Sequence, residues 1–362
     1  MVSRPGIGRW VVLREGQHSR WGGDLRRRYI FGALAQRTDA TIIEAWTTRA
    51  LVAAARGPRW KSVLRPFTAR PRLAASEQIS DRSGPAAARW TDPVAVAIYD
   101  DAVAQLAALG IKAEPERIEQ IRRRRAVNEA LFRWHVVPTA SFADLTRLDP
   151  TRVIVGGNAT NASHVRSGPW PSTPAVGVVS GAAPGRGLEA LIEAVRIVRG
   201  TVPDTRLLLW LVASSRESEA YLDALRAVTT GSPWIEISTV PYERLSGELQ
   251  RASILCIAHP ANDYMDVALP VKLFDSMAAG RPLVVTPRTE TRAIVDRYGV
   301  GLVTAGDRPD DIAERICQLL EDQALARRLG AAGRLTAETF FDWPIVSGRI
   351  ADEILRREGI LA

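Results

Sequence analysis

The sequence predicts an α/β protein of two domains, each a parallel sheet with helices packed on it, and three observations lead there. From Val176 onward, short β-rich apolar runs alternate with helical patterns, the order that builds a parallel sheet with helices on both faces. At 362 residues the chain is longer than one hydrophobic core conveniently serves. Between the halves lies Ser167 to Pro174, SGPWPSTP, whose three prolines and one glycine can continue neither a helix nor a central strand and are read as the linker.

The N-terminal half opens with a strand at Arg9 to Leu13, a loop through His18 to Gly22 and Gly23, and a helix from Asp24 to about Gln36 with Asp24 as its N-cap. Strand, glycine pair and helix favour phosphate, although two glycines also simply permit tight packing. Ala40 to Trp46 reads as the second strand, and Val94 to Tyr99 as another. Asp100 and Asp101 follow, where a carboxylate either meets ligand at the sheet edge or caps the next helix. The helix from Pro115 to Phe132 places Glu114, Glu116 and Glu119 before Arg122 to Arg125, an order that complements the helix dipole. His135 to Thr139 and Arg152 to Gly157 complete this half.

Past the linker the strands are Val176 to Ser180, Leu207 to Ala213, Trp234 to Thr239, Ile254 to Ala258, Leu283 to Thr286 and Gly301 to Thr304. Helices fall between them at Arg186 to Arg199, Glu217 to Val228, Tyr242 to Ala252, Val271 to Ala279 and Thr291 to Tyr298. Helices run from Asp310 to the end, broken at Trp343-Pro344. The stretch LPVKLFDSMAAGRPLVVT, Leu269 to Thr286, carries the most chemistry. Pro270 suits a first helical turn, Gly280 the left-handed position after the last, and Pro282 stops continuation. Lys272 and Asp275 lie three residues apart near the N-terminal end, where exposed N–H groups favour an anion; the plain alternative is a surface i,i+3 ion pair. His135, His164 and His259, in or beside strands, read as satisfied structural residues, whereas Arg288 and Glu290 follow a strand C-terminus and are candidates to touch ligand.

With 46% hydrophobic and 24% charged residues, composition excludes disorder, and no apolar run reaches signal-peptide or membrane-span length, so a cytoplasmic location is expected. Cys256 and Cys317 have no partner spacing, which predicts neither disulfide nor metal site. The net charge of +8 is uneven: residues 1–175 hold 27 Lys/Arg against 15 Asp/Glu, and the remainder is net acidic. Residues 45–76 contain no acid but seven cations, Arg49, Arg56, Arg59, Lys61, Arg65, Arg70 and Arg72, mixed with Trp46, Trp60 and Phe67. Such a stretch suits an anionic membrane face, the inner face of the plasma membrane, and its plain alternative is a solvated basic loop. No nucleic-acid-binding pattern accompanies it, so no nucleic acid partner is expected.

Several signatures, in order, resemble the GT-B glycosyltransferases, specifically those like glycosyltransferase family 4 (group 1 type). Val176 to Val198, VGVVSGAAPGRGLEALIEAVRIV, is similar to the family's first C-terminal strand, glycine turn and helix, with Arg186-Gly187 in place of Lys-Gly. Val153 to Asn161, VIVGGNATN, is similar to the strand end that closes the N-terminal domain, and Leu269 to Val285 to the P-x-K-x-x-E-x-M-A-x-G-x-P-V-V variant, with Asp275 for glutamate. Gly22-Gly23 matches the N-terminal glycine pair, and Phe341 to Pro344 the aromatic break before a crossover helix.

The resemblance implies two Rossmann-like domains facing across a cleft: residues 1–170 for acceptor, 171–340 for donor, and 341–362 as a C-terminal crossover helix packing back toward the N-terminal domain. It further implies a glycosyltransferase, metal-independent and retaining, that takes a nucleoside-diphosphate sugar as donor and needs no cofactor. Lys272 and Arg186 would neutralise the diphosphate, Asp275 would accept from the ribose hydroxyls, and the backbone at Pro241 and Tyr242 would meet the base, with Gly22 and Gly23 approaching the phosphates. The chain departs from the pattern at Val267, where an acid is usual, leaving Asp266 or Asp263 as substitutes, and Asp100 or Asp101 stands where a catalytic histidine is usual. The acceptor stays open among glycolipid, polysaccharide intermediate and small molecule. A nucleotide-sugar 2-epimerase of the same fold and a non-catalytic binding module at the membrane are the alternatives.

Overall fold

A computed structural model describes residues 10–13, 22–38, 40–43, 72–76, 92–98 and 102–362. The chain forms two compact units: unit 1 comprises Met1–Val103, Ala113–Gly157 and Trp343–Ala362, and unit 2 comprises Ala104–Lys112 and Asn158–Asp342. The proline-rich stretch 167–174 therefore lies inside unit 2, and the chain passes between units at Val103–Ala104, Lys112–Ala113, Gly157–Asn158 and Asp342–Trp343.

In unit 1 the strands β1 (Trp10–Leu13), β2 (Thr41–Ile43), β3 (Arg72–Ser76), β4 (Asp92–Ala97), β5 (Trp134–Val137) and β6 (Val153–Val155) form a parallel sheet in the order β2-β1-β3-β4-β5-β6. The residues Leu73 to Ala75 and Val94 to Ile98 are buried as continuous runs, as strands covered on both faces must be. Helices α1 (Gly22–Thr38), α2 (Ala102–Ala108), α3 (Pro115–Leu131) and α4 (Ala140–Leu145) connect the described strands, α2 belonging to unit 2 from Ala104 onward, and Gly22 and Gly23 form the first turn of α1 rather than the turn before it. In α3, Arg123 and Arg125 are held by Glu119 and Glu129 at 2.8 and 2.6 Å, so two of its four consecutive arginines serve the helix itself.

The strand β3 takes Arg72 out of the basic stretch 45–76 read from the sequence as suited to an anionic membrane face. Arg72, its first residue, lies over the Trp10 ring at 5.8 Å and donates to Glu358 at 3.3 Å. It is committed to the fold; residues 45–71 lie outside the described residues.

The last helix of the chain, Trp343–Arg357, belongs to unit 1 and packs along α1. Tyr29 stacks on Trp343 with ring centroids 5.8 Å apart, and Arg37 pairs with Asp352 at 2.6 Å. Beyond it, the nearly buried carboxylate of Glu358 accepts from Arg133 at 2.7 Å and from the Trp134 indole at 2.8 Å, besides Arg72. A buried charge satisfied on this scale fixes the chain end against the sheet.

Unit 2 contains β7 (Ala175–Gly181), α5 (Leu188–Val198), β8 (Arg206–Val212), α6 (Arg216–Val228), β9 (Ile235–Ser238), α7 (Tyr242–Leu249), β10 (Ile254–Ile257), α8 (Asp263–Val267), α9 (Val271–Ala278), β11 (Leu283–Val285), α10 (Thr289–Tyr298), β12 (Gly301–Val303), α11 (Pro309–Glu321) and α12 (Gln323–Phe340). The parallel sheet runs β12-β11-β10-β7-β8-β9. Side chains alternate between two cores, as a period of two requires. Leu207, Leu209 and Leu211 meet α5 and α11 on one face, whereas Leu208 and Trp210 meet Leu245 and Leu249 of α7 and Leu273, Phe274 and Met277 of α9 on the other. The proline-rich stretch is pinned here, because buried Arg281 donates to the carbonyls of Ala252 at 2.8 Å, Gly168 at 3.3 Å and Pro169 at 2.6 Å while Trp170 lies between Arg281 and Arg327.

Candidate functional site

The strand order of unit 2 places its reversal between β7 and β10, since connections run one way through β8 and β9 and the other way through β11 and β12. In open parallel sheets the crevice beyond the strand ends at such a reversal is where ligands bind. Two segments leave the sheet there, Ala182–Gly187 after β7 and Ala258–Asn262 after β10.

They touch through Gly187, which sits at φ +72° as the N-cap of α5 so close to β10 that a Cβ on it would lie 1.7 Å from the Ala258 carbonyl oxygen. With glycine at that position, no side chain caps α5, and its first N–H groups are left for an anion. Gly185 is equally constrained: its Cβ would lie 2.4 Å from the carbonyl oxygen of Ala108. The segment Ala104–Lys112 thus packs on the β7 loop, with Gln105 donating to the Tyr264 hydroxyl at 3.1 Å and Leu109 packed with Ala183, Tyr264 and Met265.

At the centre of this edge is His259, 1% exposed, with neither ring nitrogen hydrogen-bonded. Thr286 fixes its backbone by donating to the His259 carbonyl at 2.6 Å. Burial first, and then the charges of Lys272, Arg186 and Arg288, hold the imidazole well below its usual pKa. Three cations from three segments thus converge on one uncharged ring. Lys272, on the first turn of α9, is itself driven well below the usual lysine value by burial and by Arg186. Mutual repulsion of this kind is relieved by an anion.

Each residue singled out in the sequence can now be placed. Lys272 and Arg186 are brought together, and among the described residues Lys272 makes no ion pair, so the surface Lys272–Asp275 pair does not exist. Asp275 is buried and looks elsewhere: it accepts from the Thr160 hydroxyl at 2.6 Å. Burial raises its pKa to about 6, opposed by the Thr160 hydrogen bond and by His164. Asp266, in α8, pairs with the nearly buried Arg288 at 3.2 Å, and Val267 ends the same helix. Pro241 caps α7 and Tyr242 begins it; the Tyr242 ring stacks on His164 at 4.8 Å, and its carbonyl accepts from His164 Nε2 at 3.0 Å. Glu290 lies in the first turn of α10, where its charge complements the helix dipole. Gly22 and Gly23 lie in unit 1, and Asp100 and Asp101 lie outside the described residues, as does His18.

The structure corrects the reading of His259. His164 is a satisfied structural residue, but His135 in β5 and His259 are each buried with neither ring nitrogen hydrogen-bonded, and of the two His259 lies amid three cations from other segments. The signal available in the sequence was its position directly after a strand at the sheet's reversal. Arg288 joins it, and Thr160, which holds Asp275, was not anticipated at all.

Comparison with known proteins bears on the fold. Residues 173–322 match the family model described as glycosyl transferases group 1. Over 207 residues the chain is 28% identical to the GDP-mannose-dependent monoacylated alpha-(1-6)-phosphatidylinositol monomannoside mannosyltransferase of Corynebacterium glutamicum, covering 55% of this chain and 51% of that protein. The match thus spans about half the length of the curated relative. Sucrose-phosphate synthase of Thermosynechococcus elongatus superposes with a TM-score of 0.68 at 14% identity, covering 97% of this chain and 99% of that one. HepE of Anabaena, solved with UDP and glucose, superposes with a TM-score of 0.69 at 13% identity, covering 96% and 100%.

Proposed function

We propose that the chain, which matches the group 1 glycosyl transferase model over residues 173–322 and shares the fold of the solved structures above, moves a sugar from a nucleoside-diphosphate sugar to an acceptor. The observation that carries this reading is the convergence of Lys272, Arg186 and Arg288 on His259 at the reversal of the unit 2 sheet. A nucleoside diphosphate leaves the sugar as an anion, so cations fixed where that charge grows lower the barrier. The uncapped N-terminus of α5 adds partial positive charge to the same edge. Asp275, one turn from Lys272, is the residue for the ribose hydroxyls; Thr160 holds its carboxylate in place and leaves acceptor capacity on the other oxygen. The backbone at Pro241 and Tyr242 follows β9 and is set by His164 for contact with the base.

Fixed cations supply the countercharge, so the transfer needs no divalent metal, and chelator should leave activity intact. Retention of configuration follows from the family resemblance and is read directly from the anomeric signal of the product. For the acceptor we favour a glycolipid, which fits both the basic N-terminal half and the lipid-linked substrate named for the corynebacterial relative. Anionic vesicles should bind the protein and release it as salt rises, whereas equal binding to neutral vesicles argues against an electrostatic membrane contact. The functional test is incubation with a panel of nucleotide-sugars, with and without lipid acceptors. Release of nucleoside diphosphate that depends on acceptor supports the transferase, and interconversion of the sugar on an intact nucleotide would favour the epimerase instead.

A further inference from the structure

The ring of His259 is buried, and neither of its nitrogens finds a hydrogen-bond partner among the described residues. A buried imidazole ordinarily donates from one nitrogen and accepts at the other, and leaving both unpaired is costly. Here neither nitrogen is bonded, although the backbone around the ring is tightly held through Thr286 and through the contact of Gly187 with Ala258. The charged groups facing it are Arg186 from the β7 loop, Lys272 from α9 and Arg288 from the start of α10, and all three are positive. Asp266 pairs with Arg288, and among the described residues the charges that act on the His259 ring are those three cations.

A bound diphosphate would reverse this balance. It brings negative charge against the three cations and offers oxygens that accept hydrogen bonds. We propose that His259 is a donor-binding residue that takes up a proton as the diphosphate of the nucleotide-sugar enters, so that donor and proton bind together. The inference rests on the donor-site reading given above. Its chemistry balances simply: water or buffer gives up one proton, an imidazole nitrogen receives it, and the resulting N–H donates to a phosphate oxygen. Before binding, burial and the three cations keep the ring neutral. Afterwards the diphosphate compensates them, so affinity should fall by about tenfold per pH unit for each proton taken up, over the range in which the bound ring stays charged and the free ring is neutral.

The test is calorimetric titration of the full chain with GDP-mannose and with UDP-glucose, at about pH 7.5 and in buffers of different ionisation enthalpy. In these probes the diphosphate is esterified at both ends and does not titrate near neutrality, so any proton taken up goes to the protein. We expect net proton uptake in the wild type and a clearly smaller uptake in His259→Asn, which retains Lys272. Equal uptake in both proteins overturns the assignment to His259, as does binding without any uptake, and either result leaves the donor site standing. Binding of neither probe, nor of any other nucleotide-sugar, overturns the donor-site reading and this inference together. A second readout needs no variant: the chain has four histidines, so imidazole nitrogen shifts of labelled wild-type protein resolve individual rings. One ring should pass from neutral to charged on saturation with nucleotide-sugar, and unchanged protonation of all four contradicts the proposal.

Discussion

The hydroxyl of Thr160 donates to the buried carboxylate of Asp275 at 2.6 Å, joining residues 115 positions apart. The segment bearing Thr160 is held in turn by the bond from its own N–H to the Phe341 carbonyl at 2.9 Å. Helix α9 is thus tied to the segment that begins at Asn158 through the carboxylate proposed to hold ribose. Burial raises that carboxyl to about 6, above its usual value near 3.8. In the fold it binds a proton more readily than in the unfolded chain, so its contribution to stability is full at acid pH. That contribution falls as pH rises from about 4 through about 6. Asp275→Asn should therefore raise the melting temperature at neutral pH, with a smaller gain near pH 4, while weakening nucleotide binding by about 1.5–3 kcal/mol. Thermal unfolding at two pH values, alongside nucleotide affinity, checks both parts.

Lys272→Ala removes one of the three cations whose charge acts on His259. Loss of an electrostatic donor to a developing anion costs about 2.7–4 kcal/mol, so turnover should fall roughly 100- to 1,000-fold. Melting temperature should hold or rise, because the ammonium is desolvated and lies near Arg186. Steady-state rates near those of the wild type would remove Lys272 from the mechanism.

Gly187→Ala tests the turn that brings the β7 and β10 segments together. The new methyl would meet the Ala258 carbonyl oxygen at 1.7 Å, from a backbone at φ +72°. The left-handed conformation alone costs about 1–2 kcal/mol outside glycine, and the clash adds to it. We expect a loss of more than about 2 kcal/mol in denaturant unfolding, or a soluble protein that no longer binds nucleotide-sugar.

Arg281→Met separates fold from chemistry. The guanidinium is 1% exposed, and it serves the carbonyls of Ala252, Gly168, Pro169 and Gln250. Burial, and then Arg327, bring its pKa down to about 10. Methionine fills the space but leaves those carbonyls unmatched, at a cost of roughly 3–5 kcal/mol. Chemical denaturation measures the loss, and enzyme that remains folded should keep its affinity for nucleotide.

Much of unit 2 is legible in the chain because its signals are local. The continuous apolar run from Leu207 to Val212 and the Pro270–Gly280 bracket around α9 each lie within one short window. The same holds for the pairing of Arg186-Gly187 with a following helix. What escapes is the part decided by distant neighbours. Nothing beside Asp275 announces Thr160, and nothing beside Gly185 announces Ala108. His259 looks like any histidine at a strand end; only the fold shows that its ring nitrogens lack partners and that the charges of Lys272, Arg186 and Arg288, from three separate segments, act on it. Strand β3 was hidden for a related reason, since its five residues, RLAAS, are too short and too small to stand out beside a basic run.

The central claim is that a nucleoside-diphosphate sugar binds at the reversal of the unit 2 sheet through Lys272 and Arg186. Equilibrium titration of wild type, Lys272→Ala and Arg186→Ala with a panel of nucleotide-sugars measures this most directly. The account predicts that the wild type selects one base and that each variant binds the same nucleotide-sugar at least about tenfold more weakly, a difference of about 1.4 kcal/mol. Undiminished affinity in both variants would contradict it.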